Sequence, residues 1–265
     1  MHARGHAMQA ETIAPSHDFD AQERDAVYRA IFTRRDIRSS FLKQHIPDEV
    51  LARLLLAAHH APSVGFMQPW NFIIIRDRER KSAIRDLVHK ARAEEVLQME
   101  EAQQPLYRAL KLEGIIEAPV NLCITCDRTR AEELPLGRWH NPEMDLYSTV
   151  CAVQNLWLAA RAEGIGMGWV SILDKKQLRA LLRIPVHVMP IAYLCLGYVA
   201  DFARKPELET KGWRERLPLR DLIASETWQG PGEEQLKSLA LSDTGRIQGE
   251  IRKSASGSAL QDGKD

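Results

Sequence analysis

Three arginines surround one carboxylate in the segment Arg34-Arg35-Asp36-Ile37-Arg38. Guanidinium groups bind phosphate through paired, charge-assisted hydrogen bonds, so this cluster could hold a phosphorylated ligand. The same arginines would also suit a solvated helix end, where cations interact favourably with the negative pole of the helix dipole. The segment taken alone leaves both interpretations open.

A second segment, residues 60–72, is typical of a tight turn between a helix and a strand. Pro62 ends the helix, Ser63 and Gly65 leave backbone amides exposed, and an apolar strand from Trp70 to Ile75 follows. A turn of this kind can hold a flat polar ring. Because this motif independently predicts a ligand, the two segments together favour phosphate binding for the arginines.

The two segments resemble those of the nitroreductase-like FMN proteins. In that family the first helix ends in an Arg-Arg-Ser-Ile-Arg type motif, and the second ends in Ala-Pro-Ser with Gln-Pro-Trp following. Here Asp36 takes the place of the usual serine, and Gly168-Trp169-Val170-Ser171 follows later in the chain. These features resemble one branch of the family, the 5,6-dimethylbenzimidazole synthases of the BluB type, over residues 25–221.

The resemblance implies an α+β fold with a mixed central sheet flanked by helices and a helical lid at about residues 78–117. It also implies a homodimer in which each flavin lies near the subunit interface. The broad apolar face predicted for the helix at residues 143–163 is compatible with a large interface of this kind.

The resemblance also implies the residues of the site. Asp36 and Ser171 would be catalytic, Arg34 and Arg38 would bind the FMN phosphate, and Arg35 would lie with Asp36 along the ribityl chain and ring. No metal is required. The implied cofactor-binding residues are Arg34, Arg35, Asp36, Arg38, Ser63, Gly65, Met67, Asn71, Ser171 and, from the basic group Lys211-Gly212-Trp213-Arg214, Arg214.

Two of these residues have plainer interpretations. Asp36 could be only a salt-bridge partner for its neighbours, and three cations would lower its pKa and keep it ionised. The functional hypothesis uses that charge as a general base beside the ribityl C1′. Ser171 taken alone would be a strand hydroxyl with a local hydrogen bond, whereas in the resembling branch a serine here faces the flavin.

The implied reaction is the oxygen-dependent fragmentation of reduced FMN to 5,6-dimethylbenzimidazole, the lower ligand of vitamin B12, and erythrose 4-phosphate. Reduced FMN would be a substrate with O₂, and NAD(P)H is a candidate source of electrons. One alternative is an NAD(P)H-dependent flavin oxidoreductase that recycles its FMN, either a nitroreductase or a cob(II)yrinic acid a,c-diamide reductase. Another is a flavin carrier or sensor without turnover.

The composition is ordinary for a globular protein. The chain has 265 residues, of which 45% are hydrophobic and 27% charged, and it carries 36 basic and 36 acidic residues. This balance provides no field to attract nucleic acid or an anionic membrane. Because no apolar run approaches the roughly 18 residues that span a bilayer, and the start has no signal core, we expect a cytoplasmic protein.

The pattern predicts a mobile arm at 1–20, a single domain at 21–224 and a flexible tail at 225–265. Within 77–117, which is rich in charge and helix formers, it predicts two helices broken near Pro105 and a surface excursion. The other expected helices are at about 21–34, 47–61, 143–163 and 174–182, and the expected strands are at 70–76, 119–126, 165–172 and 189–199.

Other motifs have structural interpretations. Cys123 and Cys126 have the C-x-x-C spacing of a zinc or redox site, but they lie in an apolar run that predicts a buried strand. The adjacent pair His59 and His60 lacks the i,i+4 spacing of a helical metal pair. The glycines of residues 164–168 precede a strand, which argues against a Rossmann motif.

Overall fold

The computed structural model describes residues 19–130, 136–228, 230–234 and 238. The helices of this part are α1 (Ala21–Thr33), α2 (Asp48–His59), α3 (Arg78–Val96), α4 (Gln104–Ala109), α5 (Met144–Ala162), α6 (Lys175–Leu181) and α7 (Glu207–Thr210). The strands are β1 (Trp70–Ile75), β2 (Val120–Asp127), β3 (Ile165–Val170) and β4 (Val188–Tyr198). Short 3-10 turns cover Val64–Phe66 and Leu219–Leu222.

The helices and strands expected from the sequence are confirmed to within about two residues, with two differences at prolines. Pro47 precedes α2 as its N-cap residue instead of lying in the first turn. Pro105 lies in the first turn of α4, where its missing N–H costs no helical hydrogen bond. The break between α3 and α4 therefore lies before Pro105, at residues 97–103.

The four strands form one sheet in the order β1-β2-β4-β3, and all of their pairings are antiparallel. The expected α+β class is confirmed. The expected mixture of strand directions is wrong for these four strands, whose only parallel neighbour in the described chain is a single bridge between Asp36 and Met167. That bridge places the segment after α1 along the outer edge of β3.

Apolar side chains cover both faces of the sheet because successive strand residues point to opposite sides. On one face Leu54 of α2 and Leu156 of α5 pack with Leu194 of β4. On the other face Ile84 of α3 packs in a cluster with Cys195 of β4.

The helix α3 is therefore part of the core, with Ile84 and Val88 fully buried. The expectation of a surface excursion is wrong for this helix. Its charged composition reflects one solvated face, since the buried positions recur at helical spacing. A covering role for residues 78–117 over a ligand stays a prediction.

Cys123 and Cys126 are free and buried in β2. Burial raises the pKa of both thiols, that of Cys123 to about 12, so neither is a thiolate near neutral pH. This environment agrees with the structural role expected from the sequence.

The predicted arm at 1–20 lies, apart from residues 19 and 20, outside the described residues, and so does most of the predicted tail at 225–265. Among the helices that the structure describes, none combines the length and the apolar composition needed to cross a membrane.

Gly168 permits the contact between the first arginine segment and β3. The N–H of Ile37 donates to the carbonyl of Met167 at 3.0 Å, and the N–H of Trp169 donates to Asp36 Oδ1 at 2.9 Å. A Cβ atom on Gly168 would lie 2.0 Å from the carbonyl oxygen of Ile37, so any side chain here would push the segment away.

We expect Gly168→Ala to lower the free energy of unfolding by about 3 kcal/mol, because the added methyl group overlaps backbone that cannot yield easily. Gly164→Ala is the control, since Gly164 has a φ of +72° but no described residue lies within 4 Å of an added Cβ. We expect it to cost about 1 kcal/mol. Urea denaturation measures both, and equal midpoints for the two variants would contradict the close approach.

Candidate active site

The arginine segment begins where α1 ends. Arg34 is the C-cap residue with extended backbone angles, and the chain then runs along β3 instead of continuing the helix. Trp157 of α5 fixes this exit by donating its indole N–H to the carbonyl of Arg35 at 3.3 Å. The segment is thus held from two sides, by a strand and by a helix.

The guanidinium groups of Arg34 and Arg35 are partly buried beside this exit. That of Arg34 lies 4.7 Å from the ring centroid of Trp157, a cation-π contact. That of Arg35 donates to the backbone carbonyls of Phe32, Arg34 and Arg204. Among the described residues, the Nε atom of Arg35 has no hydrogen-bond partner although it is buried, as is also true of Arg85, Arg138 and Arg179.

Positive charge accumulates around these two arginines. Burial lowers the pKa of both, and the charge of Arg216 lowers it further, while Asp36 opposes the shift at Arg34. Arg34 also lowers the pKa of Arg35. Arg161 of α5 adds to this effect on Arg35. Arginine stays protonated in proteins, so a cluster of cations with an unpartnered donor suits an anion such as phosphate.

Arg216, which follows α7, is the arginine near the C-terminal end of the domain whose charge lowers the pKa of Arg34 and Arg35. The expected residue, Arg214, is exposed and lies four residues beyond the end of α7, and its role stays a prediction. The sequence offers little to separate the two, since both arginines follow the same Lys-Gly-Trp motif within a few residues.

Both carboxylate oxygens of Asp36 have donors. Oδ1 accepts the N–H of Trp169, and Oδ2 accepts from the guanidinium of Arg38. Burial is nevertheless the largest influence and raises the pKa of Asp36 above its usual value, against the opposing effects of Arg38, Trp169 and Arg34. The expected net lowering of this pKa is therefore wrong, because desolvation of the charged form outweighs the effect of the neighbouring cations.

Arg38 has a different environment from the other two arginines of its segment. Its side chain is 12% exposed and lies between two carboxylates, Asp36 and, at 3.9 Å, Glu207 of α7. The resemblance assigns Arg38 to a phosphate.

Ser171 follows the last residue of β3 and is exposed. It lies two residues beyond Trp169, whose N–H binds Asp36, and a strand advances roughly 7 Å over two residues. The two residues expected to be catalytic are thus near each other at one sheet edge.

The second predicted segment forms a strained turn before β1. Gly65 has a φ of +53° and its Cβ position would lie 3.1 Å from the carbonyl oxygen of Leu136. Phe66 and Gln68 also have positive φ, at 53° and 49°, which is uncommon for residues with side chains. Ser63 Oγ accepts the N–H of Gln68 at 3.0 Å and helps to hold this shape.

Other elements also anchor the turn. The N–H of Val64 donates to Ser148 Oγ of α5 at 3.0 Å. The indole N–H of Trp70 donates to His59 Nδ1 at 3.1 Å, a structural contact in line with the interpretation of this histidine. Met67 is buried.

Arg130, which the sequence did not single out, binds this turn most extensively. Its guanidinium donates to the carbonyls of Gln68 and Trp70, both at 2.8 Å, and to Asn71 Oδ1. Only its position, three residues beyond a strand, could have indicated a role. A cavity of about 420 Å³ lies here, lined by His59, Met67, Gln68, Trp70, Asn71, Phe72 and Arg130.

The two predicted segments lie far apart within one chain. Asp36 lies beyond β3 and Asn71 is on β1, so four strand spacings, roughly 19 Å, separate them. Along the strands Asp36 is level with Leu196 of β4, and Asn71 is level with Pro190. The interval from Pro190 to Leu196 spans roughly 20 Å along the strand direction. The structure therefore does not bring the two groups together around one ligand within a single chain.

Comparison with known proteins identifies several similar chains. Residues 31–198 match the model of the nitroreductase family. A 5,6-dimethylbenzimidazole synthase of Rhodospirillum rubrum is 42% identical over 200 residues, which cover 76% of this chain and 94% of that protein.

Solved structures with the same fold include the following two. One is iodotyrosine deiodinase bound to FMN and 3-iodo-L-tyrosine, with a TM-score of 0.58, 22% identity and coverage of 72% of this chain and 96% of that chain. The other is a BluB-like flavoprotein from Clostridium difficile, with a TM-score of 0.58, 20% identity and coverage of 76% and 99%.

We expect Arg130→Met to loosen the turn while the fold remains. Methionine is similar to arginine in length, but it cannot donate hydrogen bonds to the three oxygen atoms that Arg130 binds. Amide hydrogen exchange in a peptide covering residues 63–72 should become at least about tenfold faster, as expected when opening costs roughly 1.4 kcal/mol less. Arg53→Met is the control, since Arg53 pairs with Glu163 on the surface. Unchanged exchange in Arg130→Met would show that the turn does not depend on this arginine.

Proposed function

The chain belongs to the nitroreductase family, and on that premise we propose that it is a 5,6-dimethylbenzimidazole synthase that fragments reduced FMN with O₂. The observation that carries the proposal is Asp36, a carboxylate held by Trp169 and Arg38 at the position where the wider family has serine. The 42% identity to a protein of this activity supports it across nearly the whole length of that relative.

The cation cluster suits the phosphate of FMN. Arg34, Arg35 and Arg216 concentrate positive charge, and Arg35 has a buried donor to which no described residue provides an acceptor. These residues would bind the phosphate and leave the ribityl chain to run toward Asp36. Reduced FMN, when bound, supplies the electrons that pass to O₂.

The properties of Asp36 suit proton transfer at the ribityl C1′. A raised pKa brings the carboxyl closer to working pH, where it can both accept and return a proton. The two donors fix the direction of its oxygens, so little reorientation is needed during the reaction. Ser171 and the amide of Gly65 would bind polar atoms of the flavin ring and stabilise developing negative charge.

We propose that the site is completed by a second copy of the chain. The arginine segment with Asp36 and the turn at residues 65–71 occupy opposite corners of one sheet. A two-fold dimer would place the arginine segment of each chain beside the turn of its partner. Exposed apolar residues offer a surface for such a dimer, and α1 has no buried residue of its own. They are Val27, Tyr28, Ile31, Phe32, Leu56, Phe66, Tyr147 and Val150.

The alternative with recycled FMN would use the same phosphate site. An NAD(P)H-dependent flavin oxidoreductase would return the flavin intact, whereas a synthase consumes it. A carrier or sensor would also leave the flavin unchanged. The aspartate in place of serine favours the synthase, because a base beside C1′ has no evident task in hydride transfer to a recycled flavin.

Asp36→Asn should reduce formation of 5,6-dimethylbenzimidazole by about 10²- to 10⁴-fold, the usual contribution of a general base. The amide keeps the shape of the side chain but cannot accept the proton. Mass spectrometry of products after aerobic reaction with reduced FMN measures this, and Arg53→Gln is a surface control. If the unaltered protein returns the flavin intact over many cycles, the proposed activity is wrong.

Mixed dimers test the shared site. As homodimers, Asp36→Asn and Gly65→Val should each lose nearly all product formation. After unfolding and refolding together, random pairing should restore about a quarter of the unaltered activity, because half of the chains form mixed dimers with one intact site each. If both groups served one flavin within the same chain, mixing would restore nothing.

A further inference from the structure

The further inference concerns Arg38 and rests on the proposed function. The three arginines of the segment do not share one environment. Arg34 lies over the ring of Trp157, and the buried Nε of Arg35 has no partner in the part of the chain that the structure describes. Arg38 instead lies between the carboxylates of Asp36 and Glu207, with 12% of its side chain exposed.

This difference matters for the binding of an anion. A phosphate approaching Arg38 would have to displace or approach two carboxylates, and like charges repel at this distance. Arg34 and Arg35 also have carboxylates near them, Asp36 and Glu209 respectively, but Arg216 adds positive charge at both and Arg161 adds it at Arg35. The phosphate therefore suits Arg34 and Arg35, while the charge of Arg38 is already balanced.

The contact with Arg38 controls the carboxylate that the reaction uses. The charged and titratable groups facing Asp36 are Arg34 and Arg38 in its own segment and the thiol of Cys195 from β4, while Glu207 of α7 faces Arg38. Of these, Arg38 is the group that both carries positive charge and bonds to the carboxylate. It also fixes Oδ2, as the N–H of Trp169 fixes Oδ1.

We propose that Arg38 is a positioning residue that acts on the reaction through Asp36 by orienting its carboxylate and keeping it ionised, and that it is not a ligand of the FMN phosphate.

The pH dependence of this effect has a definite sign. Asp36 works as a base when ionised, so activity falls as the pH drops through its pKa. Burial raises that pKa and Arg38 opposes the rise. Removing the cation should raise the pKa further, and the acid limb of the activity profile should then move to higher pH.

The central experiment compares Arg38→Gln, Arg38→Lys and Arg34→Gln across a range of pH. Arg38→Gln should move the acid limb of kcat up by about one pH unit, at the low end of what loss of a neighbouring opposite charge produces. Its KM for reduced FMN above the limb should change less than about threefold. Arg38→Lys should restore much of the position of the limb, since it returns the charge.

Arg34→Gln is the matched control from the same segment. It should raise KM about tenfold, the loss expected for one charge-assisted contact to phosphate. It should move the acid limb less than Arg38→Gln does, because Arg34 acts on Asp36 through its charge alone and more weakly than Arg38. If Arg38→Gln instead raises KM like Arg34→Gln without moving the limb, Arg38 is a phosphate ligand and the proposal is overturned.

Two measurements are independent of turnover. The titration of the Asp36 carboxyl carbon, followed by NMR in flavin-free protein and assigned with Asp36→Asn, should move to higher pH in Arg38→Gln. Affinity for oxidised FMN, measured by fluorescence quenching, should be the same in Asp36→Asn and in Asp36→Asn with Arg38→Gln. An unmoved titration, or a further tenfold loss of affinity in the double variant, would overturn the proposal.

These measurements also separate this proposal from the proposed function. If the unaltered protein forms no 5,6-dimethylbenzimidazole, the activity is wrong, whereas the NMR titration and the flavin affinities still decide whether Arg38 serves Asp36 or the phosphate. Circular dichroism shows whether each variant folds. If Arg38→Gln does not fold, Arg38→Lys provides the second variant for the test.

Discussion

The site depends on the approach of the segment after α1 to the edge of β3. Two backbone groups of the strand, the carbonyl of Met167 and the N–H of Trp169, bind Ile37 and Asp36. Gly168 lies between them and has no side chain to separate the two stretches of backbone. This contact sets the position of Asp36, and through Asp36 that of Arg38. Trp157 of α5 completes the support by binding the carbonyl of Arg35.

Opposing effects act on the carboxyl of Asp36. Burial favours the protonated form, while Arg38, Arg34 and the N–H of Trp169 favour the ionised form, and burial is the larger influence. A carboxyl held between such influences titrates closer to neutrality than an exposed aspartate, which is where a group that accepts and returns protons is most effective. The same arrangement makes its protonation sensitive to each neighbour.

The sequence predicted local features well and long-range ones poorly. The bounds of the helices and strands followed from periodicity and from helix-ending residues such as Pro62 and Gly164. These signals could be read because they act on residues only a few positions away in the sequence. The direction of the pKa shift at Asp36 could not be predicted, since adjacent arginines are visible in the sequence while burial against β3 is not. Arg130 and Arg216 were missed for the same reason, because their partners are remote in the chain.

The turn before β1 holds three left-handed residues, Gly65, Phe66 and Gln68, within four positions. A side chain in this region costs on the order of 1 to 3 kcal/mol, so the turn persists only because Ser63, Ser148 and Arg130 hold it. Selection for heat resistance alone would therefore favour glycine or asparagine in place of Phe66 and Gln68, since both adopt these backbone angles at lower cost. A lineage evolved that way would keep the shape of the backbone but lose the two side chains that the turn now presents.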